Sequence, residues 1–384
     1  MNEVQTYDLA IIGGGLAGLA TAIQLGKKGY KVVLFEKEKF PFHKVCGEYI
    51  SLESWNFLES IGLPLKDLDL PIIRELHLTS PGGNSLTTKL PLGGFGISRY
   101  LLDSMLAGIA KEAGVALREE ARVDEVQFGD SFTLTYTTKG AADRKVINAT
   151  LCAAAYGKRS NLDVKWNRDF IQNSSRRSHN YVGVKYHVRG NWPHDTIGLH
   201  NFEGGYCGIS KIEGDLYCLC YMTGAHQLKR FNGNLRELEE GVLYKNPFLK
   251  RVLQGSAAAA QFPITISQIN FEKKAPVERG LLLLGDAAGT IPPLCGNGMS
   301  MALHSSKLAA GAMEDFLSGR ITRGEMEELY QASWNRAFRT RLRVGRTLQP
   351  LFGRRRRTDL FVSLLKRLPL LGALLIRQTH GKPF

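Results

Sequence analysis

The apolar positions of this chain change period as it proceeds, and the changes mark its elements. After Asp8, Leu9-Ala10-Ile11-Ile12 is continuously apolar, the pattern of a strand buried on both faces. Then come Gly13-Gly14-Gly15-Leu16-Ala17-Gly18, a helical stretch to about Lys28, and an apolar strand over 31–35 closed by Glu36. An amphipathic helix is predicted over 52–61. Residues 72–79 and 85–92 alternate with period two around Pro81-Gly82-Gly83-Asn84, which predicts a hairpin. Gly93-Gly94-Phe95-Gly96 predicts a flexible connection. Leu101, Leu102, Met105, Leu106 and Ile109 form one stripe of a helix over 100–113. A short strand at 115–117 and a meander over 121–128, 132–138 and 145–153 come next, and 181–223 alternates repeatedly between turn glycines, predicting an antiparallel sheet. Helices are predicted over 234–244 and 247–253, and a strand returning to the first domain over 262–269. Leu281 to Leu284 reads as a second buried parallel strand, feeding Gly285-Asp286-Ala287-Ala288-Gly289, a loop, and a helix over 298–317. A charged helix over 325–343 follows.

Strand, glycine turn, helix, strand, acid is the order of a dinucleotide-binding βαβ unit. Gly13 permits the tight turn, Gly15 lets a pyrophosphate approach the backbone, and Gly18 lets the helix pack on the strands. The N–H groups of the helix start, Leu16 and Ala17 among them, and the helix dipole favour an anion there. Glu36 is placed to accept both ribose hydroxyls of an adenosine. The expected fold class is α/β: a Rossmann-like nucleotide domain with an inserted antiparallel β-sheet substrate domain and a C-terminal helical tail. The nucleotide domain is expected at 1–75, 97–165 and 270–320, the substrate domain at 76–96 and 166–269, and basic amphipathic helices at 321–384.

Composition changes this picture in one place. Of a net charge of +14 over 384 residues, nearly all falls after residue 335, where thirteen Lys and Arg face one acid, Asp359. The remainder is close to neutral, so the basicity belongs to the tail. The first residues lack the pattern of a signal peptide, no apolar run is long enough for a spanning helix, and six scattered cysteines lack zinc spacing. Cys218 and Cys220 share a strand face, a spacing that rarely forms a disulfide. Together these predict a reducing, cytoplasmic setting.

Taken together, Gly13, Gly15 and Gly18 with Glu36, Cys46-Gly47-Glu48, Arg99 with Asp103, Gly157 with Ser160, and Gly285-Asp286 with Pro293-Leu294-Cys295-Gly296-Asn297-Gly298 resemble the flavoprotein superfamily of para-hydroxybenzoate hydroxylase-like monooxygenases and geranylgeranyl reductases. The resemblance spans residues 8 to about 317. It implies FAD, with Asp286 accepting a ribityl hydroxyl and Gly296, Asn297, Gly298 and Met299 opening a helix whose N–H groups face the flavin pyrimidine edge. That edge becomes anionic on reduction, which a positive helix end stabilises. Arg99 and Lys44 are expected near the phosphates. Lys37, Gly47, Val123 and Gly157 complete the expected cofactor contacts.

Aromatic hydroxylases of this group usually carry Asp-Gly where this chain has Tyr156-Gly157, and often a His where it has Gly289. Cys46-Gly47-Glu48 and the 293–299 segment look more like the prenyl reductases. The resemblance thus implies reduction of a carbon–carbon double bond in a lipophilic substrate, with a transient NADH or NADPH donor. Hydroxylation of an aromatic or polyketide-like compound is the alternative, and a non-redox flavin- or prenyl-binding protein a further one. Cys46 is the candidate proton donor, oriented by Glu48, and His200, Tyr206 and Cys295 are candidate substrate contacts. No metal, nucleic acid or obligate protein partner is implied.

The tail adds one expectation. Leu360, Phe361, Leu364, Leu365 and Leu368 form a helical stripe beside Lys366 and Arg367, the pattern of an interfacial helix. Either 336–384 meets an anionic membrane peripherally, or the stripe folds onto the body as a lid.

Overall fold

A computed structural model describes residues 4–141, 143–174, 180–259, 261–269, 271–292, 296–379 and 381–384. Two sheets organise it. The first has eight strands, and its parallel part runs Leu281–Leu283, Lys145–Ala154, Thr6–Ile12, Val32–Phe35 and Ala116–Arg118. Ala121–Phe128 and Phe132–Thr138 extend it as a meander from Lys145–Ala154. Register is what builds a site from this sheet. Ile12 stands opposite both Phe35 and Ala154, and Ala154 opposite Leu283. Four strands therefore end level, and Gly13, Glu36, Ala155 and Leu284 open on one edge, where ligands of parallel sheets bind.

The helix Leu16–Gly26 is apolar nearly all round and buried accordingly. It packs between the helices Arg99–Glu112 and Gly298–Leu317. A Cβ on Gly18 would lie 2.0 Å from the Gly13 carbonyl oxygen, so only glycine lets this helix sit so close to its own turn.

The second sheet has nine strands. Tyr181–Arg189, Tyr217–Gly224, Gly205–Lys211 and Thr196–Phe202 form an antiparallel run, which joins Ile72–Thr79 through one parallel pairing and then Ser85–Gly96 and Tyr49–Ser51. Helices Leu235–Gly241 and Pro247–Gln254 cover one face through Val184, Phe202, Leu219, Tyr221, Leu238 and Leu249. Three placements differ from the sequence reading. Tyr49–Ser51 and the start of Ile72–Thr79 belong to this sheet although they fall within 1–75. Ile264–Ile269 pairs with Tyr181–Arg189 rather than returning to the first sheet. The 93–96 glycines continue a strand instead of forming a flexible link: a Cβ on Gly94 would meet the Tyr49 ring at 2.3 Å, and one on Gly96 the Lys211 carbonyl oxygen at 1.8 Å. Glycine here serves close approach of strands.

The C-terminal helices are Arg323–Leu348, Arg355–Arg367 and Pro369–Thr379. Tyr330, Trp334, Phe338 and Leu342 of the first enter the main core, and its Arg341 pairs with buried Glu53 through two contacts of 3.1 Å. The last two pack on the second sheet, where Val362 and Leu365 meet Leu78, and Phe361, Leu371 and Leu375 add to the contact. No described helix is long and apolar enough to cross a membrane.

Candidate active site

A cavity of about 1290 Å³ joins the two sheets. On the first-sheet side it is lined by Gly13, Gly15, Leu16, Ala17, Glu36, Lys37, Lys44, Arg99, Val123, Gly157, Asp286, Gly296, Gly298 and Met299. The early and late motifs thus meet, and a Cβ on Gly285 would lie 3.4 Å from Ala17 Cβ.

The turn is held from several directions. Glu36 accepts the Gly14 N–H at 3.0 Å and the Glu38 N–H at 3.1 Å. Lys44 reaches the Gly14 carbonyl at 3.3 Å and Asp103 at 3.0 Å. Arg99 donates twice to Asp103, both at 2.7 Å. Burial would raise the Asp103 carboxyl, but Arg99 and Lys44 more than offset it and hold it below the usual carboxylate range. Burial likewise opposes the Arg99 charge, and Asp103 overrides it, leaving the guanidinium more basic than usual. The cluster fixes cationic groups beside the glycine turn without leaving a bare charge.

Two helix starts open into this cavity without a side-chain cap, those of Leu16–Gly26 and Gly298–Leu317. By contrast Ser98, Ser160, Asn234, Asn246 and Thr322 cap their helices. A Cβ on Gly15 would find nothing nearer than 3.9 Å, so its missing side chain leaves open room over the first helix start. Uncapped N–H groups facing such room suit anionic or electron-rich ligand atoms. A pyrophosphate at one end and a flavin pyrimidine edge at the other fit this pair, so the residues present fit FAD.

Lys274, which sequence reasoning missed, joins two loops of the site. Its ammonium donates to the Lys158 carbonyl at 3.0 Å and the Asp286 carbonyl at 2.8 Å, and burial lowers its pKa to about 8. Tyr156, at the position where hydroxylases carry an acid, donates to Asp163 at 2.6 Å, and Arg168 contacts Asp163, Glu278 and the Ala287 carbonyl. That position is committed to a buried structural network.

Glu48 requires a correction. It is fully buried, at φ +53, and both carboxylate oxygens are taken. One accepts the Arg99 backbone N–H at 2.7 Å and pairs with Lys185, and the other meets His187 Nε2 at 2.6 Å. Burial would raise this carboxyl, but His187 and Lys185 hold it low. Glu48 therefore ties the 46–48 loop to the second sheet and is not free to orient Cys46. Cys218 lies near the same group, but burial pushes its thiol well above the usual range, and it donates to the Cys46 carbonyl at 3.2 Å. With Lys185 already supplying the cation, this is an ion cluster rather than a metal site. Lys185 and His187 were missed because strand alternation alone reads as a half-solvated face. Their signal was two basic residues at i, i+2 inside an otherwise apolar strand.

The remaining predicted residues divide. Cys46 and Gly47 line the cavity, and so does Tyr206 on the second sheet. Gly18 and Asn297 are buried behind the lining, the first in helix packing and the second at a helix start. His200 is corrected: it faces away from the cavity, bonded to Thr79 at 3.0 Å and surrounded by His77, Trp192 and Phe248. Strand alternation puts Ile197 and Leu199 on the cavity and His200 on the other face. Cys295 lies outside the described residues.

Comparison with known proteins agrees with this geometry. Residues 8–44 match the family model described as FAD dependent oxidoreductase. A digeranylgeranylglycerophospholipid reductase 2 of Methanothermobacter thermautotrophicus is 26% identical, over 89% of this chain and 85% of its own. Conditioned medium factor receptor 1 of Dictyostelium discoideum is 26% identical over 88% of this chain and 69% of its own. Among solved structures, the flavin-dependent brominase Bmp2 superposes with a TM-score of 0.78 at 18% identity, covering 97% of this chain and 92% of its own. The class of protein defined by fold and site is an FAD-dependent oxidoreductase. Within that class its sequence is similar to digeranylgeranylglycerophospholipid reductases, and its fold is that of flavin-dependent halogenases and monooxygenases.

Proposed function

We propose that this enzyme saturates carbon–carbon double bonds of a prenyl or related lipid, with NADH or NADPH as electron donor. The observation that carries this reading is the continuity of the cavity. From the nucleotide edge it runs into an apolar compartment walled by Leu76, Leu86, Ile197, Leu199 and Met222 of the second sheet and by Phe361, Leu365 and Ile376 of the tail. Its volume of about 1290 Å³ exceeds the ~300–1,000 Å³ of most small-molecule pockets, leaving room for an apolar ligand beside a nucleotide. The reductase relatives, matched over most of their length, support the same chemistry.

FAD, when bound, supplies hydride transfer. The chain supplies position and protons. The 13–15 turn and the Leu16–Gly26 helix start would hold the phosphates, Glu36 a ribose, Asp286 the ribityl chain, and the Gly298–Leu317 helix start the pyrimidine edge. The apolar walls exclude water and align the double bond. One carbon receives hydride, and the other a proton from the Cys46 thiol or from water. The nicotinamide donor provides the electron pair, and solvent reprotonates Cys46.

Anaerobic incubation with NADH or NADPH and a geranylgeranyl glycerophospholipid tests this. Saturated product by mass spectrometry is expected. Product that forms only with stoichiometric oxygen uptake and carries a hydroxyl would replace the proposal with hydroxylation. Asp286→Ala removes a charged acceptor, a contact worth about 1.5–3 kcal/mol. FAD should therefore bind at least about tenfold more weakly, measured by flavin absorbance after dialysis.

A further inference from the structure

The two last helices have a second apolar face. Leu365 of Arg355–Arg367 and Gly372, Leu375 and Ile376 of Pro369–Thr379 turn toward the cavity. On the opposite side Leu360 is 72% exposed, Leu368 51%, Leu370 87% and Leu374 50%, with Leu364 also exposed. Leu360, Leu364 and Leu368 recur at i, i+4, i+8, and Leu370 and Leu374 at i, i+4, so each helix carries a continuous outward stripe. Cations surround it. Arg354, Arg355, Arg356, Arg357, Lys366, Arg367 and Arg377 are all exposed, while the one acid of the segment, Asp359, is turned inward against Gly82. Helical geometry puts Arg356, four residues before Leu360, on the leucine face itself.

We infer that this outward face docks on an anionic lipid bilayer, so that the wall of the cavity is also the membrane-contacting surface. Exposed apolar side chains on the same two helices as exposed cations match the acyl boundary and the phosphate layer of such a bilayer. Long arginine stems can cover apolar surface while their heads stay among the phosphates. A protein partner would need an apolar groove with an acidic rim, whereas a bilayer of anionic lipid offers both chemistries at once. Because the opposite faces of the same helices line the compartment, a lipid drawn from the bilayer crosses a single helix layer to reach it. The inference rests on the lipid-substrate reading for its purpose, but its test reads binding and not turnover, so the two fail separately.

The test is co-sedimentation of FAD-loaded full-length protein with phosphatidylglycerol/phosphatidylcholine vesicles, with phosphatidylcholine alone as control. Binding to the anionic vesicles, weakened by salt, is expected. Two variants, Leu360→Ser/Leu364→Ser/Leu370→Ser and Arg356→Ser/Arg357→Ser, alter only exposed side chains, and each should cut binding about tenfold or more with the flavin spectrum intact. Absence of wild-type binding, or undiminished binding by the arginine variant, overturns the inference. So does a wild-type dimer that the leucine variant dissociates, which would assign the face to a second copy of the chain.

Discussion

Glu48 occupies a left-handed backbone conformation that a residue with a side chain adopts only when its surroundings over-determine it. Here Lys185, His187 and the Arg99 N–H do so. Removing one partner of a buried ion pair costs about 3–5 kcal/mol, so Glu48→Gln should lower the denaturation midpoint by that order. The same group sets an acid limit. Its carboxyl is held below the ordinary 4.5, so its stabilisation is complete above that pH and is lost as pH falls toward the depressed value. His200 and His304 act in the same direction: burial lowers them from 6.5 to about 3 and about 4. Both stay neutral in the fold and take up a proton on unfolding below about 6.5, so stability should fall with pH through that window. Denaturant midpoints at descending pH measure the slope, and His200→Phe should flatten it. A flat profile in the wild type would contradict these assignments. Cys46→Ser should keep FAD and slow saturation of the substrate, whereas full activity would reduce the thiol to packing. At this scale the sequence told which residues carry charge but not which of them pair. Lys185, His187, Arg168 and Lys274 came together only through strand register and loop closure, which no local pattern encodes.

Elements were legible where their cause is local. The Leu16–Gly26 helix, the Ala121–Phe128 and Phe132–Thr138 hairpin and the Gly298–Leu317 helix follow from periodicity and flanking glycines. The 93–96 run was misread because glycine has two opposite uses, and both look alike in sequence. A loop uses its freedom, while a crowded strand uses its lack of a side chain. Gly96→Ala distinguishes them: the added carbon would fall 1.8 Å from the Lys211 carbonyl oxygen, so backbone must move. Overpacking of that kind costs about 1–3 kcal/mol, read as a lowered midpoint, whereas a flexible link would tolerate it. Gly18→Ala belongs with it. There the displaced element is the helix whose uncapped start opens on the proposed cofactor site, and the expected loss is of flavin as well as stability.

For the whole molecule, the proposed FAD site and the apolar compartment occupy different parts of one cavity with different walls. The glycine turn and the 285–299 segment belong to the first sheet, while part of the apolar wall is the C-terminal helix pair. Deleting 354–384 should therefore leave flavin content close to normal while abolishing retention of a fluorescent prenyl lipid. Equal loss of both would mean that the tail holds the body together, for which its contacts with Glu53 and the second sheet provide the route. That the tail walls the cavity was open in the sequence, since a leucine stripe reads alike whether it meets lipid or protein. Both faces proved apolar, and only the fold divides them.

The order of strands in the first sheet also bears on how the protein is made. Leu281–Leu283 is translated long after Thr6–Ile12, yet it supplies the loop that faces the glycine turn. It joins outside Lys145–Ala154, along a border still open to receive it, so nothing already assembled has to separate. A nascent chain halted before Leu281 should leave the ribosome colourless, and the first yellow species should be one whose synthesis has passed the Gly298–Leu317 helix. Pigment in this protein would then mark the arrival of the late strand and helix, not of the early glycine turn alone.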